Sequence, residues 1–312
     1  MSFEELNRLG SQRIPFLFVC DFKAHNVEAV LLSDIANHNI KYAIDENYSF
    51  HTHPHGLKKT PVPFVEYEKK FSKIIEKIKA GETYLLNLTQ KTKIQTQLSL
   101  DEIYTCANAH YKLKYKEQFV CFSPETFVKI DNDTIHTYPM KGTIDASLPN
   151  AKEQILANEK EMAEHIMVVD LLRNDLSIVS THVKVEKFRF IKQIEAGDKK
   201  LLQVISHISG KLNDDWHSEI GSILKSLLPA GSISGAPKKK TLEIIEETEG
   251  YERGYFSGIF GVYDGKSLDS GVMIRFIEKT EDGYIYKSGG GITLDSEAQS
   301  EYNELLDKIY LP

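Results

Sequence analysis

Strand-like stretches follow one another across short turns in this chain, and helical stretches fall between them without regular alternation. No other feature constrains the fold as much. A parallel sheet needs a long crossover between its strands, whereas strands joined by short turns build antiparallel sheets. Residues 14–21, Ile14-Pro15-Phe16-Leu17-Phe18-Val19-Cys20-Asp21, form an apolar run suited to a buried strand. Similar runs recur at 84–89, 119–122, 127–130, 183–192, 203–211, 255–263, 270–278 and 283–288. Helices are expected over 65–80, 152–176, 218–227, 238–248 and 295–309. The first carries Tyr67, Phe71, Ile74, Ile75 and Ile78 at helical spacing, and Gly81 is placed to end it. The second is expected to bury Met162, Ile166, Val169, Leu172 and Leu176. The fold class is therefore α+β. No Ser/Pro/Gly linker or low-complexity tract divides the chain, so a single domain is expected.

Charge and cysteine usage exclude several function classes. The chain has 45 Asp plus Glu against 38 Lys plus Arg, for a formal net charge of −7. Its densest basic run, Lys238-Lys239-Lys240, is too short for a nucleic-acid-binding stripe. No apolar run reaches membrane-spanning length, and Met1-Ser2-Phe3-Glu4-Glu5-Leu6 lacks the basic and apolar regions of a signal peptide. Cys20, Cys106 and Cys121 are isolated, without metal or disulfide spacing. They are expected to be free thiols in a reducing, cytoplasmic setting.

Four segments carry chemistry. Lys141 sits in Tyr138-Pro139-Met140-Lys141-Gly142-Thr143, where Pro restrains the entry and Gly permits a tight turn. Alone, such a Lys is an ordinary exposed side chain. Glu161 and Glu164 are three apart on an expected helix, and Glu301 and Glu304 repeat that spacing on the last one. Like charges so spaced repel, so each pair is either a solvated face or a site that wants a cation. Gly289-Gly290-Gly291 is expected to end a strand and precede a helix, and Pro229 to Lys238 forms a Gly/Ser loop opening another. Both offer backbone N–H groups to an anion, and neither fits a Walker A loop. Arg275 lies within an apolar strand-like run, where it needs either an anionic ligand or a structural salt bridge. Tyr255 is expected to open a strand, as a core aromatic or as a ligand contact.

In order and spacing, these segments together with Val169-Asp170-Leu171-Leu172-Arg173-Asn174-Asp175 resemble the chorismate-utilising enzymes. Within that family the chain is most similar to the ammonia-using aminodeoxychorismate synthases, component I. The resemblance covers roughly residues 65–312, leaving 1–64 as a short strand-containing segment packed on the catalytic domain. It implies two large packed β-sheets with helices outside and a site at the sheet interface. It implies Mg²⁺ on Glu164 and Glu304, with Glu161 and Glu301 in the outer shell. Substrate contacts are implied at Gly142, Thr143, Ser232, Tyr255, Arg275, Gly289, Gly290 and Gly291, with Lys141 as nucleophile. Relatives that add water to chorismate carry Lys where this chain has Leu85, and anthranilate synthases carry Ala where it has Lys141. Gln203 stands where anthranilate synthases have a His, and Leu31-Leu32-Ser33-Asp34 departs from the motif of tryptophan-binding relatives. The expected reaction joins chorismate and ammonia to give 4-amino-4-deoxychorismate for p-aminobenzoate and folate formation. The three Cys lack a Gly-flanked elbow and the sequence stops at Pro312, so a separate glutaminase (component II) and a separate lyase are expected. The alternatives are an anthranilate synthase component I, a 2-amino-2-deoxyisochorismate synthase, or a non-catalytic chorismate-binding subunit.

Overall fold

Short turns between strand runs become antiparallel pairings throughout the described residues. The structure, a computed structural model, describes residues 2–45, 56–196 and 199–311. One sheet has nine strands, in the order Met140–Asp145, Lys199–Lys211, Thr134–Thr137, Thr126–Asp131, Leu268–Val272, Ile259–Tyr263, Phe16–Cys20, Val27–Leu31. Its ninth strand, Thr181–Ala196, forms a long hairpin with Lys199–Lys211. The other sheet has eight, ordered Gly235–Ala236, Leu85–Gln95, Gly283–Ile292, Phe276–Thr280, Phe119–Ser123, Tyr111–Tyr115, Ile40–Ile44, with Lys58–Thr60 also on Leu85–Gln95. The expected α+β architecture of two large sheets is thus present. The sheets pack through Leu17, Val19 and Phe260 of the first and Tyr111, Leu113, Phe119 and Phe276 of the second. Residues before 64 belong to both sheets: Phe16–Cys20 pairs with Ile259–Tyr263 in one, Ile40–Ile44 with Tyr111–Tyr115 in the other.

Two short links carry the chain between sheets and matter for the site. Pro124-Glu125 joins Phe119–Ser123 of the second sheet to Thr126–Asp131 of the first. Met273-Ile274-Arg275 leads back from Leu268–Val272 to Phe276–Thr280. The single strand expected over 270–278 is therefore two, because Arg275 has φ +50°, which a strand cannot accommodate. Tyr255 likewise lies in a turn before its strand, which begins at Ile259.

Helix Phe64–Lys79 ends as Gly81 predicts: at φ +74°, Gly81 N–H bonds Ile78 O (2.9 Å) and Glu82 N–H bonds Lys77 O (3.0 Å). The helix expected over 152–176 is two helices, Ala151–Ala157 and Glu159–Val179. Between them Asn158 is extended (φ −70°, ψ 110°), and its side chain accepts the Glu161 N–H at 3.0 Å, starting a new helix as an N-cap. The expected apolar stripe is also corrected. Met162 and Ile166 are 38% and 48% exposed, and the inward face carries His165, Val168, Val169, Asp175 and Leu176. His165 finds hydrogen-bond partners inside, and turning it inward rotates its neighbours outward. Among the described residues, no helix is long and apolar enough to cross a membrane.

Candidate active site

The edge strand Met140–Asp145 is irregular where it matters. Met140 faces Ile205 and Thr143 faces Gln203, so one strand advances three residues while its partner advances two. The extra residue makes a bulge at Lys141-Gly142, with Gly142 at φ +97°, where a side chain would be strained. Bulges re-aim side chains. This one delivers Lys141 Nζ to 2.7 Å from Glu164 Oε2 on the long helix, while the Lys141 carbonyl lies 3.2 Å from His165 Nδ1. Burial alone would depress the Lys141 pKa. The Glu164 charge and its hydrogen bond, then Glu304 and Glu161, outweigh burial and hold the ammonium above its ordinary value.

The two glutamate pairs meet in one electrostatic field. Burial raises the Glu161 pKa, and the charges of Glu164 and Glu304 raise it further. Burial also raises Glu301, opposed by the Ser296 hydroxyl that donates to its Oε1 at 2.7 Å. Glu304 is held below its ordinary value despite burial, because Lys308 Nζ lies 2.7 Å away. Lys308 also donates to the Gly289 carbonyl at 2.9 Å, and burial pulls its own pKa down. Gly289, Gly290 and Gly291 lie at the end of Gly283–Ile292, one residue before it stops, and pair with Thr89, Leu88 and Asn87. The neighbouring strand on the other side stops opposite Lys287, which leaves that edge of the triplet open. A Cβ on Gly290 would sit 3.4 Å from Glu301 Oε2 and 3.8 Å from Lys308 Nζ, so the bare backbone lines this space.

Other expected residues divide into those near this centre and those away from it. Ser232 donates to Glu125 in the first sheet-crossing link, and Arg275 and Lys308 both act on Glu125 electrostatically. Arg275 Nε is buried without a partner, as a donor awaiting an acceptor would be. The loop bearing Ser232 is tied to the long helix by Lys238, which reaches Asp175 (3.1 Å) and the Leu227 carbonyl (3.0 Å). Thr143 is exposed, facing Gln203, whose Oε1 is buried without a partner. Tyr255 is not brought to this centre. Its ring packs on Tyr115 (5.4 Å) and Phe119 (5.3 Å), and the charges acting on it come from Glu28, Asp21 and Cys20. The turn that precedes its strand points it into that aromatic cluster.

Sequence reasoning missed three participants. Glu125 lies in a short Pro-containing link between strands, where burial raises its pKa within reach of Ser232. Lys308 pairs with Glu304 one helical turn away and also closes on Gly289. His165, beside Glu164, is fully buried and bonds the backbone that carries Lys141.

The donor set suits a hard divalent cation. It offers only carboxylate oxygens, and Glu161 Oε2 is buried without a partner beside Gly142. Carboxylates Glu125, Glu161, Glu164, Glu301 and Glu304 outnumber the cations Lys141, Lys160, Lys308 and Arg275 around them. Among the described residues no group of three His, Cys, Asp or Glu is close enough to hold a metal alone, so a cation here would need oxygens from a ligand or solvent as well.

Comparisons with known proteins identify the chain's relatives. A family model described as chorismate binding enzyme matches residues 19–311. An "uncharacterized PabA-like protein" of Haemophilus influenzae is 50% identical over 99% of this chain and 95% of its own length. Aminodeoxychorismate synthase component 1 of Bacillus subtilis is 33% identical over 80% of this chain, which spans 55% of that relative. The crystal structure of anthranilate synthase component I from Streptococcus pneumoniae superposes with TM-score 0.69 at 25% identity, covering 84% of this chain and 60% of that one.

Proposed function

We propose that this chain, which belongs to the chorismate-binding enzyme family, replaces the C4 hydroxyl of chorismate with an amino group to give 4-amino-4-deoxychorismate. The observation that carries the reading is the Lys141 amine on its bulge, 2.7 Å from Glu164 and inside the field of Glu161 and Glu304. A nucleophilic amine needs a fixed approach and a lone pair. The bulge fixes the approach. In the structure Glu164 keeps the amine protonated, so the lone pair appears only once that charge is engaged elsewhere.

Magnesium on Glu164 and Glu304, with Glu161 and Glu301 around it, would supply positive charge that binds the ring carboxylate and offsets the carboxylates holding Lys141 charged. The remaining work falls to the chain itself. The Lys141 ammonium gives up a proton to solvent, its nitrogen forms a bond to C2, the ring double bonds shift, and the C4–O bond breaks. Glu125, which burial keeps protonated to higher pH than an ordinary carboxyl, would be the acid that gives the leaving hydroxyl its proton. Ammonia then bonds to C4, the double bonds shift back, and the C2–N bond to Lys141 breaks, restoring the amine. Arg275 and the open edge of Gly289 to Gly291 would be donors for the substrate carboxylates, with Ser232 joining them only if its hydroxyl turns from Glu125. The ammonia would come from glutamine through a separate glutaminase subunit.

A second reading, addition of nitrogen at C2, is favoured by the likeness to anthranilate synthase component I. The two are separated by the fate of the enolpyruvyl group and by whether a lyase turns the product into p-aminobenzoate. Purified chain, chorismate, a magnesium salt and an ammonium salt should give a 4-amino product that keeps this group. Anthranilate and pyruvate from the same mixture would replace the first reading with the second.

A further inference from the structure

A buried chain of side chains crosses the central strand Lys199–Lys211 behind Lys141. The bulge at Lys141-Gly142 lifts the Lys141 carbonyl out of the sheet ladder, since register with that strand holds at Met140 and resumes only from Thr143 to Asp145. A carbonyl so displaced needs another donor. His165 Nδ1 takes that place at 3.2 Å, and its Nε2 lies 2.7 Å from Ser206 Oγ on the central strand. The hairpin partner Thr181–Ala196 is irregular at the same level: the register shifts between Lys187 and Phe190, and Arg189 has φ +47°. The freed Arg189 N–H donates to Ser206 Oγ at 2.9 Å, and its guanidinium donates to the Ile155 and Leu156 carbonyls at 3.2 and 3.0 Å. Both His165 and Ser206 are fully buried.

These contacts determine the proton positions. Ser206 Oγ accepts from Arg189 N–H, so its own hydrogen is free to go to His165 Nε2. His165 Nε2 is then the acceptor, and Nδ1–H is the donor that the Lys141 carbonyl requires. Two bulges on opposite sides of one strand are thus held by one Ser–His pair, and one of them carries the reactive amine.

We propose that His165 is a positioning residue: oriented by Ser206, it holds the Lys141 peptide so that the amine points at the ring carbon it attacks. The inference rests on the reading of Lys141 as nucleophile. It predicts a cost in turnover more than in binding, because a displacement near 1 Å can cost about a hundredfold in rate.

The experiment uses the full chain and two readouts. In the first, ring-nitrogen NMR of ¹⁵N-histidine-labelled protein, with His165→Asn as the assignment control, should show His165 as the Nδ1–H tautomer at neutral pH. An Nε2–H tautomer would overturn the proposal, and this readout does not depend on which product forms. In the second, kcat and KM for chorismate are compared in His165→Leu and His165→Asn under ammonium. His165→Leu should lose about ten- to a hundredfold in kcat with KM little changed. His165→Asn keeps an N–H donor near the Nδ1 position and should recover most of that loss. Equal losses in both variants, or losses that follow the fraction of folded protein, would reduce His165 to a structural role and contradict the proposal. Should the tautomer and the Asn rescue hold while the product carries nitrogen at C2, the positioning role survives and the proposed reaction fails.

Discussion

At the scale of single residues, the site is a balance of opposite charges drawn to one place. Lys141 and Lys308 each pair with one glutamate, leaving Glu161 and Glu301 raised by burial and by their neighbours. Glu164→Ala and Glu304→Ala should therefore each abolish magnesium-dependent turnover while the protein remains folded. Full activity in either variant, or in excess chelator, counts against these residues as ligands. Lys141→Ala should lose most 4-amino product and admit direct attack of ammonia at C2, seen chromatographically as a 2-amino isomer that a lyase does not convert to p-aminobenzoate. Parent-rate 4-amino synthesis in that variant would remove the covalent role. Residue types were legible where chemistry made them odd: a Lys in a Pro/Gly turn, paired glutamates, an Arg in an apolar run. Glu125 and Lys308 were not, because each looks like an ordinary surface residue until distant segments close around it.

At the scale of elements, irregularities place the chemistry. The bulge at Lys141-Gly142, the N-cap at Asn158 and the link at Arg275 each interrupt a regular run. Asn158→Ala removes the acceptor of the Glu161 N–H and should cost about 1 kcal/mol in denaturant unfolding. Activity should fall further than that stability loss explains, since the cap also sets where the Glu161–Glu164 turn begins. Unchanged kcat at the lower stability would show that the cap serves folding alone. Strands such as Phe16–Cys20 were legible because burial on both faces demands a continuous apolar run. The break at Arg275 was not, because Val272 to Ile274 and Phe276-Ile277 are apolar on both sides of it while the chain passes from one sheet to the other. Asn158 hid within a helical pattern for a similar reason: a cap and a mid-helix Asn differ only in backbone angles.

At the scale of the molecule, two sheets joined by Pro124-Glu125 and by Met273 to Arg275 bring helix Glu159–Val179 and helix Ala298–Asp307 to bear on one centre. The fold class followed from strand order alone; the meeting of these distant segments did not. Stability should depend on pH through buried imidazoles. Burial lowers the pKa of His217, which stacks on Trp216 at 3.7 Å and bonds the Tyr263 hydroxyl at 2.7 Å. Burial lowers His110, His165 and His207 as well. As pH falls below the ordinary value of 6.5, the unfolded chain takes up protons that the native state refuses. Stability is thus fully present above that value and lost below it. Denaturant midpoints should fall between about pH 7 and pH 5.5, before carboxylates titrate; His217→Gln should flatten part of that slope, and a midpoint constant over the window would contradict the buried neutral state.

Nitrogen supply tests the account at the same scale. Ammonium salts should support turnover by this chain, and glutamine should do so only after a glutaminase is added; glutamine-driven synthesis that survives replacement of Cys20, Cys106 and Cys121 by Ser would show another route. The central claim is the product itself. Chorismate, magnesium and ammonium incubated with the purified chain, then resolved by mass spectrometry, should yield 4-amino-4-deoxychorismate with its enolpyruvyl group retained, becoming p-aminobenzoate once a separate lyase is added. Release of pyruvate with anthranilate, or chorismate recovered unchanged, would contradict the account.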